Sequence, residues 1–238
     1  MNLRLVISFL KYPLSSVNRK KYRKELKRKD FLDHSCEAMR AWERAIEQWK
    51  NPVNIWLEFG TLLGAHREKT IIAHDYDIDF AIDEASCSQE LIDWLRNFGF
   101  NLHHTMILKS TDPFFDGFVA EYVFRYRNKV NVDLFVSKRR GGRRLFFAFD
   151  AEEGMSREET QEKYAGALRV VMRDISDFEL QDIYFLGGKY KAPNNLESHL
   201  AELYGSDFML PKQYSFSERP KQFEVMLGSE VLGVRLDP

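Results

Sequence analysis

The chain is poor in cysteine: Cys36 and Cys87 are the only two in 238 residues. They stand far apart and at no metal-ligand spacing. A disulfide framework is therefore not expected, and a reducing compartment is. Large net charge is also missing, because 35 basic and 36 acidic residues leave a formal charge of -1. Bulk electrostatics does not make this protein a polyanion binder. No apolar run reaches the length of a membrane span. The leading LRLVISFLKYPL is short and broken by Lys11 and Pro13. No small-residue cleavage site follows it, so it resembles a secretory signal only weakly. Internal repeats and low-complexity tracts are absent.

What remains is the composition of a soluble globular protein, 44% hydrophobic and 30% charged. The length suits one large domain, or one domain with an appendage. The near-neutral total hides an asymmetry. Ten basic residues, from Arg4 to Lys29, face only Glu25 in the first 29 positions. Two readings fit this basic arm (residues 1–30, ahead of a domain at 31–238). One is a solvated helix leading into the domain. The other is a peripheral contact with anionic lipid through residues 1–29, with Leu5, Ile7, Phe9 and Leu10 dipping into the interface.

Periodicity organises the rest. Residues 31–50 place Met39, Trp42, Ile46 and Trp49 at helical spacing, and Asn51-Pro52 stops the run. A short strand is expected at 55–59, a short helix at 60–68 and a second strand at 78–82. A helix capped by Ser86 or Ser88 follows and stops at Gly99. Then come a hairpin (118–127 and 130–138), a strand at 143–149 after Gly141-Gly142, and a segment at 156–177 that reads as partly helical. A strand at 179–185 and a helix ending at Tyr204-Gly205 complete the chain. The expected class is α+β, with a mixed or antiparallel sheet flanked by helices and a C-terminal helical/β extension.

The stretch EFGTLLGAHREKTIIAHDYDIDFAID, residues 58–83, carries the chemistry. Asp77 and Asp79 alternate with Ile78 and Phe80, so both carboxylates share one strand face. Side by side they repel unless a cation sits between them. Mg²⁺ or Mn²⁺ fits, because hard divalent ions take carboxylate oxygens and keep waters for a phosphate. Asp133, inside the apolar KVNVDLFVS, is the candidate third ligand. Val130, Val132, Leu134 and Val136 fill the opposite face of that strand. Upstream, Gly60 admits a phosphate close to the backbone, Thr61 adds a hydroxyl, and the following helix offers free N–H groups. Arg67 and Lys69 are placed to clamp a diphosphate. The set reads as phosphoryl transfer. Asp75 either caps the turn or supports the site from behind. His66 and His74 are read as hydrogen-bonded neighbours, and His103-His104 as surface.

The same residues resemble the signature of the LicD/fukutin family, within the nucleotidyltransferase-fold superfamily. GTLLG, an Arg and then DYDID match in order. NVDLF is similar to that family's third-Asp strand, and IYFLGGKYKAPNNLESHLAELYGSDFMLP resembles its C-terminal block. Ala73-His74 stands where Pro-Trp is usual, Tyr76 interrupts the Asp run, and a Cys-rich zinc insert is absent. The resemblance implies a nucleotidyltransferase-like fold. It implies transfer of a phospho-alcohol group, such as phosphocholine, ribitol phosphate or glycerol phosphate, from a CDP-linked donor to a sugar hydroxyl, with CMP leaving. The acceptor would be a cell-surface glycan or its lipid-linked precursor. The protein would then be cytoplasmic, at the inner membrane face. Asp77 and Asp79 would hold the metal, and Asp133 would complete the site or take the acceptor's proton. Arg67 would steady a phosphate.

Two rivals share these residues. A nucleotidyltransferase would move NMP from an NTP to a small molecule, and an inactive scaffold would keep the fold for binding. Arg139, Arg140, Arg143 and Arg144 form a basic tip, read as a solvated turn ahead of core aromatics. Nucleic-acid binding by that tip is the weaker reading.

Overall fold

A computed structural model describes residues 16–211 and 224–238. Its first element, α1 (Ser16–Glu47), starts well before the expected position 31. Its basic first half is rich in good helix formers with no breaker. The second half buries Phe31, Ser35, Ala38, Met39, Trp42 and Ala45 at helical spacing. The helix runs unbroken through residue 30, and Arg28 Nε donates to the Ala73 carbonyl at 2.9 Å. Leu5, Ile7, Phe9 and Leu10, which one reading of the basic arm placed at a lipid interface, lie outside the described residues. Among the described residues no helix is long and apolar enough to cross a membrane.

The strands are β1 (Ile55–Leu57), β2 (Asp77–Asp83), β3 (Phe100–Ser110), β4 (Val119–Tyr126), β5 (Val130–Arg140) and β6 (Arg143–Asp150). They continue with β7 (Leu168–Ser176), β8 (Leu180–Phe185), β9 (Gly188–Pro193), β10 (Glu224–Met226) and β11 (Val231–Leu236). Short helices α2 (Phe59–Leu63), α3 (Gln89–Arg96), α4 (Arg157–Lys163) and α5 (Leu196–Tyr204) lie between them. Ser88 caps α3, its hydroxyl accepting from Leu91 N–H. The protein is α+β, and the sheet is mixed. β2 pairs parallel with β5, and all other pairings among the described residues are antiparallel.

One feature departs from the expected flanked sheet. β5, β4, β3, β11, β7 and β6 pair in succession, and β6 returns to β5, so six strands close on themselves. β1 and β2 extend outward from β5. A Cβ on Gly233 would sit 2.0 Å from Phe149 Cδ1, so only glycine lets the Phe149 side chain pack this close to β11. The segment read as partly helical splits into α4 and the long strand β7.

The main core lies between α1, α3 and the sheet. Trp42 stacks on Phe80 at 4.3 Å and meets Phe100 and Phe124 edge-on. A second cluster holds Trp56, Phe59, Ala81, Phe146, Ile175 and Phe178. Arg144, expected at a solvated tip, is fully buried there. Its guanidinium lies 4.8 Å from the Trp56 ring centroid and 4.2 Å from that of Phe178. It pairs with Asp83 and Asp177. Because side chains alternate along a strand, Arg144 faces inward while Arg143 turns out to Asp174.

Candidate active site

A cleft of about 660 Å³ opens over β2 and β5 and reaches β3, β4, β6 and β7 of the ring. Parallel pairing sets Asp79 against Asp133 and Asp77 against Asn131. β4 adds Glu121, opposite Phe135 and therefore on the Asp133 face. With Asp75 from the preceding turn, five carboxylates line one cleft. Glu121 escaped the sequence reading, although VAEYVFRY carries the signal that marked Asp133: one acid in an apolar strand.

Burial and mutual repulsion define the electrostatics. Burial pushes Asp79 well above the carboxylate range, and Asp77 and Asp75 add to it. Asp133 is pushed up by burial, then by Glu121, Asp77 and Asp79. Burial also raises Asp77. Asp75 is held at about 7 by burial, Asp77 and Glu68. Glu121 is held at about 7 by burial and Asp77. Asp133 Oδ1 is buried with no hydrogen-bond partner. An all-oxygen donor set carrying an orphaned oxygen and excess negative charge fits a hard divalent cation. Among the described residues, no three His, Cys, Asp or Glu side chains converge tightly enough to hold an ion as they stand.

The Gly-Thr element serves the aspartates directly. A Cβ on Gly60 would lie 2.7 Å from Asp75 Oδ2 and 3.1 Å from Asp79 Oδ2. Glycine is what leaves the two carboxylates room. Thr61 N–H donates to Asp79 Oδ2 at 3.3 Å, and its hydroxyl accepts from the Asp79 N–H at 2.8 Å. Thr61 thus pins Asp79 and is not free as the expected phosphate cradle. Ahead of it, Phe59 is held at φ 44°, a left-handed backbone costly for a bulky residue. Its ring stands edge-on to Phe135 and Phe146.

Beneath this turn sits a fully buried pair that sequence reasoning missed. Glu58 accepts from His199 Nε2 at 2.6 Å, from Trp56 Nε1 at 2.6 Å and from Phe59 N–H at 3.2 Å. Burial alone pushes Glu58 up, but the charge and hydrogen bond of His199 and the Trp56 bond together hold it below the usual range. Its own N–H donates to the Asp79 carbonyl. The pair ties α5 to the carboxylate strand. α5 also delivers Tyr204 into the cleft, its phenol pushed far up by burial and by Asp79.

The expected clamps are placed differently. Arg67 lines an adjoining cavity of about 180 Å³ that shares Gly60, Asp75 and Tyr204 with the cleft. It donates to the Phe208 carbonyl at 3.0 Å and to Glu68 at 2.7 Å. Lys69 is exposed, in left-handed backbone, and lines neither cavity. The cations that do line the cleft are Arg157 and Arg173. Arg157 donates to the Phe149 carbonyl at 2.8 Å, and Arg173 to Glu224 at 2.8 Å. His66 lies 3.9 Å from Glu197, beyond hydrogen-bond reach, and His74 borders the adjoining cavity. His104, expected at the surface, lines the cleft and meets His103 at 2.8 Å between Nδ1 atoms.

Fold and cleft define an α+β protein built around carboxylates on a parallel strand pair. The family model described as LicD/FKTN/FKRP, nucleotidyltransferase domain, matches residues 52–195, and the chain belongs to that family. Its members are transferases, broadly of phospho-alcohol groups in glycan biosynthesis. No curated protein matches the chain.

Proposed function

We propose that the protein is a metal-dependent transferase. It moves a phospho-alcohol group of the phosphocholine, ribitol phosphate or glycerol phosphate type from a CDP-linked donor. The acceptor is a sugar hydroxyl of a cell-surface glycan or its lipid-linked precursor, and CMP leaves. The observation that carries this reading is the Asp79–Asp133 pairing, with Asp133 Oδ1 orphaned between like charges. We read β1, β2, β5 and α2 as a nucleotidyltransferase-type core to which the closed ring is added.

Asp77, Asp79 and Asp133 would hold Mg²⁺ or Mn²⁺. When bound, the ion neutralises the donor diphosphate and the charge that builds on its oxygens. The chain's own groups do the rest. Thr61 and Gly60 fix Asp79, and Asp79 and Asp133 orient the donor's diphosphate end. Arg157 and Arg173 face the same cleft and offset phosphate charge. Glu121, held near neutrality, is suited to take the acceptor hydroxyl's proton. The acceptor oxygen bonds to phosphorus as the bond to CMP breaks. The aromatic wall of Phe135, Phe146, Phe147 and Phe149 excludes water. Arg67, in the adjoining cavity, would steady the far phosphate. We place the reaction in the cytoplasm, with residues 1–29 touching the inner membrane face.

The family description favours one second reading: an enzyme moving NMP from an NTP. A thermal-shift panel with Mg²⁺ separates the two. CDP-choline, CDP-ribitol, CDP-glycerol, CTP and ATP are compared on wild type and on Asp77→Asn/Asp79→Asn. A CDP-alcohol should raise the melting temperature more than CTP, and the variant should lose the shift. A larger shift with CTP or ATP would favour the second reading.

A further inference from the structure

The sheet face that carries the carboxylates continues past them. Residues opposite one another on paired strands share a face, so the register sets them in rows. Asp77, Asn131 and Arg125 form one row. Asp79, Asp133, Val123 and His104 form the next. Phe135, Glu121, Met106 and Arg235 form another. From β2 toward β11 the face therefore changes character. The aspartates stand on β2 and β5 and Glu121 on β4, while Arg125, His104 and Arg235 make a basic shoulder on β4, β3 and β11.

The shoulder groups act on one another. His104 is pushed down to about 4 by burial, Arg235, His103 and Arg125, with Asp237 opposing them. His103 is lowered by burial, then by Arg125 and Arg235, and Lys27 of α1 adds to them. Both imidazoles are thus neutral at pH 7, and the positive charge is that of Arg125, Arg235 and Lys27. Arg235 is exposed and bonded to Asp237 at 2.8 and 2.7 Å. Arg125 is half-buried and has no ion pair, side-chain hydrogen bond or ring contact among the described residues. On β6 and β7, by contrast, Arg143, Arg144, Arg169 and Arg173 each have a carboxylate. An arginine left open beside a polar cleft is available to an anion.

Distance decides which anion. From Asp79 on β2 to His104 on β3 is three strand spacings, roughly 14 Å along the sheet. A diphosphate held at the aspartates does not reach that far. From Glu121, the group placed to take the acceptor's proton, His104 is one strand away and Arg235 two, about 5 and 10 Å. The shoulder lies on the acceptor's side of the reaction.

Given the transferase reading of the cleft, we infer that the shoulder of Arg125, Arg235 and His104 binds an anionic group, a phosphate or a carboxylate, carried by the acceptor glycan on the sugar next to the one that reacts.

The test is binding without turnover, so it stands whether or not a CDP-alcohol reacts. Cellobiose, cellobiouronic acid and cellobiose 6′-phosphate are titrated into the full chain by ligand-observed NMR. Metal ions and donor are left out, so the acidic cleft supplies no positive charge. Each charged disaccharide should bind about tenfold more tightly than cellobiose, the ratio given by one hydrogen bond to a charged group. The ratio between the two charged forms tells phosphate from carboxylate. Arg125→Gln and Arg235→Gln should each remove most of the preference, and Lys189→Gln, on the β8–β9 hairpin, should leave it unchanged. Equal affinity for neutral and charged disaccharides, or no binding by any of them, overturns the inference. So does a preference that survives both arginine variants. Inorganic phosphate binding as tightly as the disaccharide phosphate would make the shoulder a free-anion site and also overturn it. A preference lost in Arg125→Gln, beside a CDP-alcohol panel that shows no shift, would keep the shoulder and count against the proposed donor.

Discussion

Asp75→Asn should stabilise the metal-free protein, and only at high pH. The carboxyl is held at about 7 against an ordinary 3.8 by burial, Asp77 and Glu68. A folded-state pKa above the unfolded one means that stability is full below about pH 4 and lost as pH rises through about 7. The full penalty above that range is on the order of 4 kcal/mol. Partial solvent access trims it to roughly 2 kcal/mol. For a chain of this length, that corresponds to roughly 4–8 °C in melting temperature. The assay is thermal unfolding of wild type and variant in chelator, at pH 8 and at pH 4. The expected gain appears at pH 8, is absent at pH 4, and shrinks when Mg²⁺ is added at pH 8. A gain of equal size at both pH values, or none at pH 8, would refute the claim that like-charge crowding strains this cleft.

Two further outcomes follow from the geometry around Asp79. Gly60→Ala should fold, because the residue sits in helical backbone, yet lower transferase activity by about a hundredfold as Asp75 and Asp79 are pushed aside; steady-state kinetics beside a melting curve checks this. His199→Ala should destabilise the fold by about 3 kcal/mol, because Glu58 is left charged and unpaired in the core. Urea unfolding measures that loss, and Glu58→Gln combined with His199→Ala should recover part of it.

The sequence made the floor of the site readable and left its walls hidden. Asp77, Asp79 and Asp133 each interrupt an apolar strand, and a charge there must have a partner; alternation puts Asp77 and Asp79 on one face, and the parallel register of β2 and β5 sets Asp133 beside Asp79. The apolar face of β5 was legible for the same reason: Val130, Val132, Leu134 and Val136 are all buried. The ring closure was not legible. β3, FNLHHTMILKS, alternates Phe100, Leu102, Met106 and Leu108 with polar residues, but the period breaks at His104 and Ile107, where its register with β4 shifts. Its partner β11 lies more than a hundred residues away, and no local pattern encodes that pairing. His104 enters the cleft only because of it. Lys69 and Arg144 were misplaced for a different reason. Sequence spacing fixes where a long side chain starts but not where its charged end finds a carboxylate or carbonyl. Arg173 reaches the cleft from β7, far along the chain from the motif it faces.

The central claim is the chemistry, and the direct measurement is the product. Purified protein with Mg²⁺ is given CDP-choline, CDP-ribitol, CDP-glycerol or CTP, each with a glycan acceptor, and CMP and pyrophosphate are quantified for wild type and Asp133→Asn. The account predicts acceptor-dependent CMP from one CDP-alcohol, lost in the variant, with no pyrophosphate from CTP. Pyrophosphate from CTP with no CMP from any CDP-alcohol would contradict it.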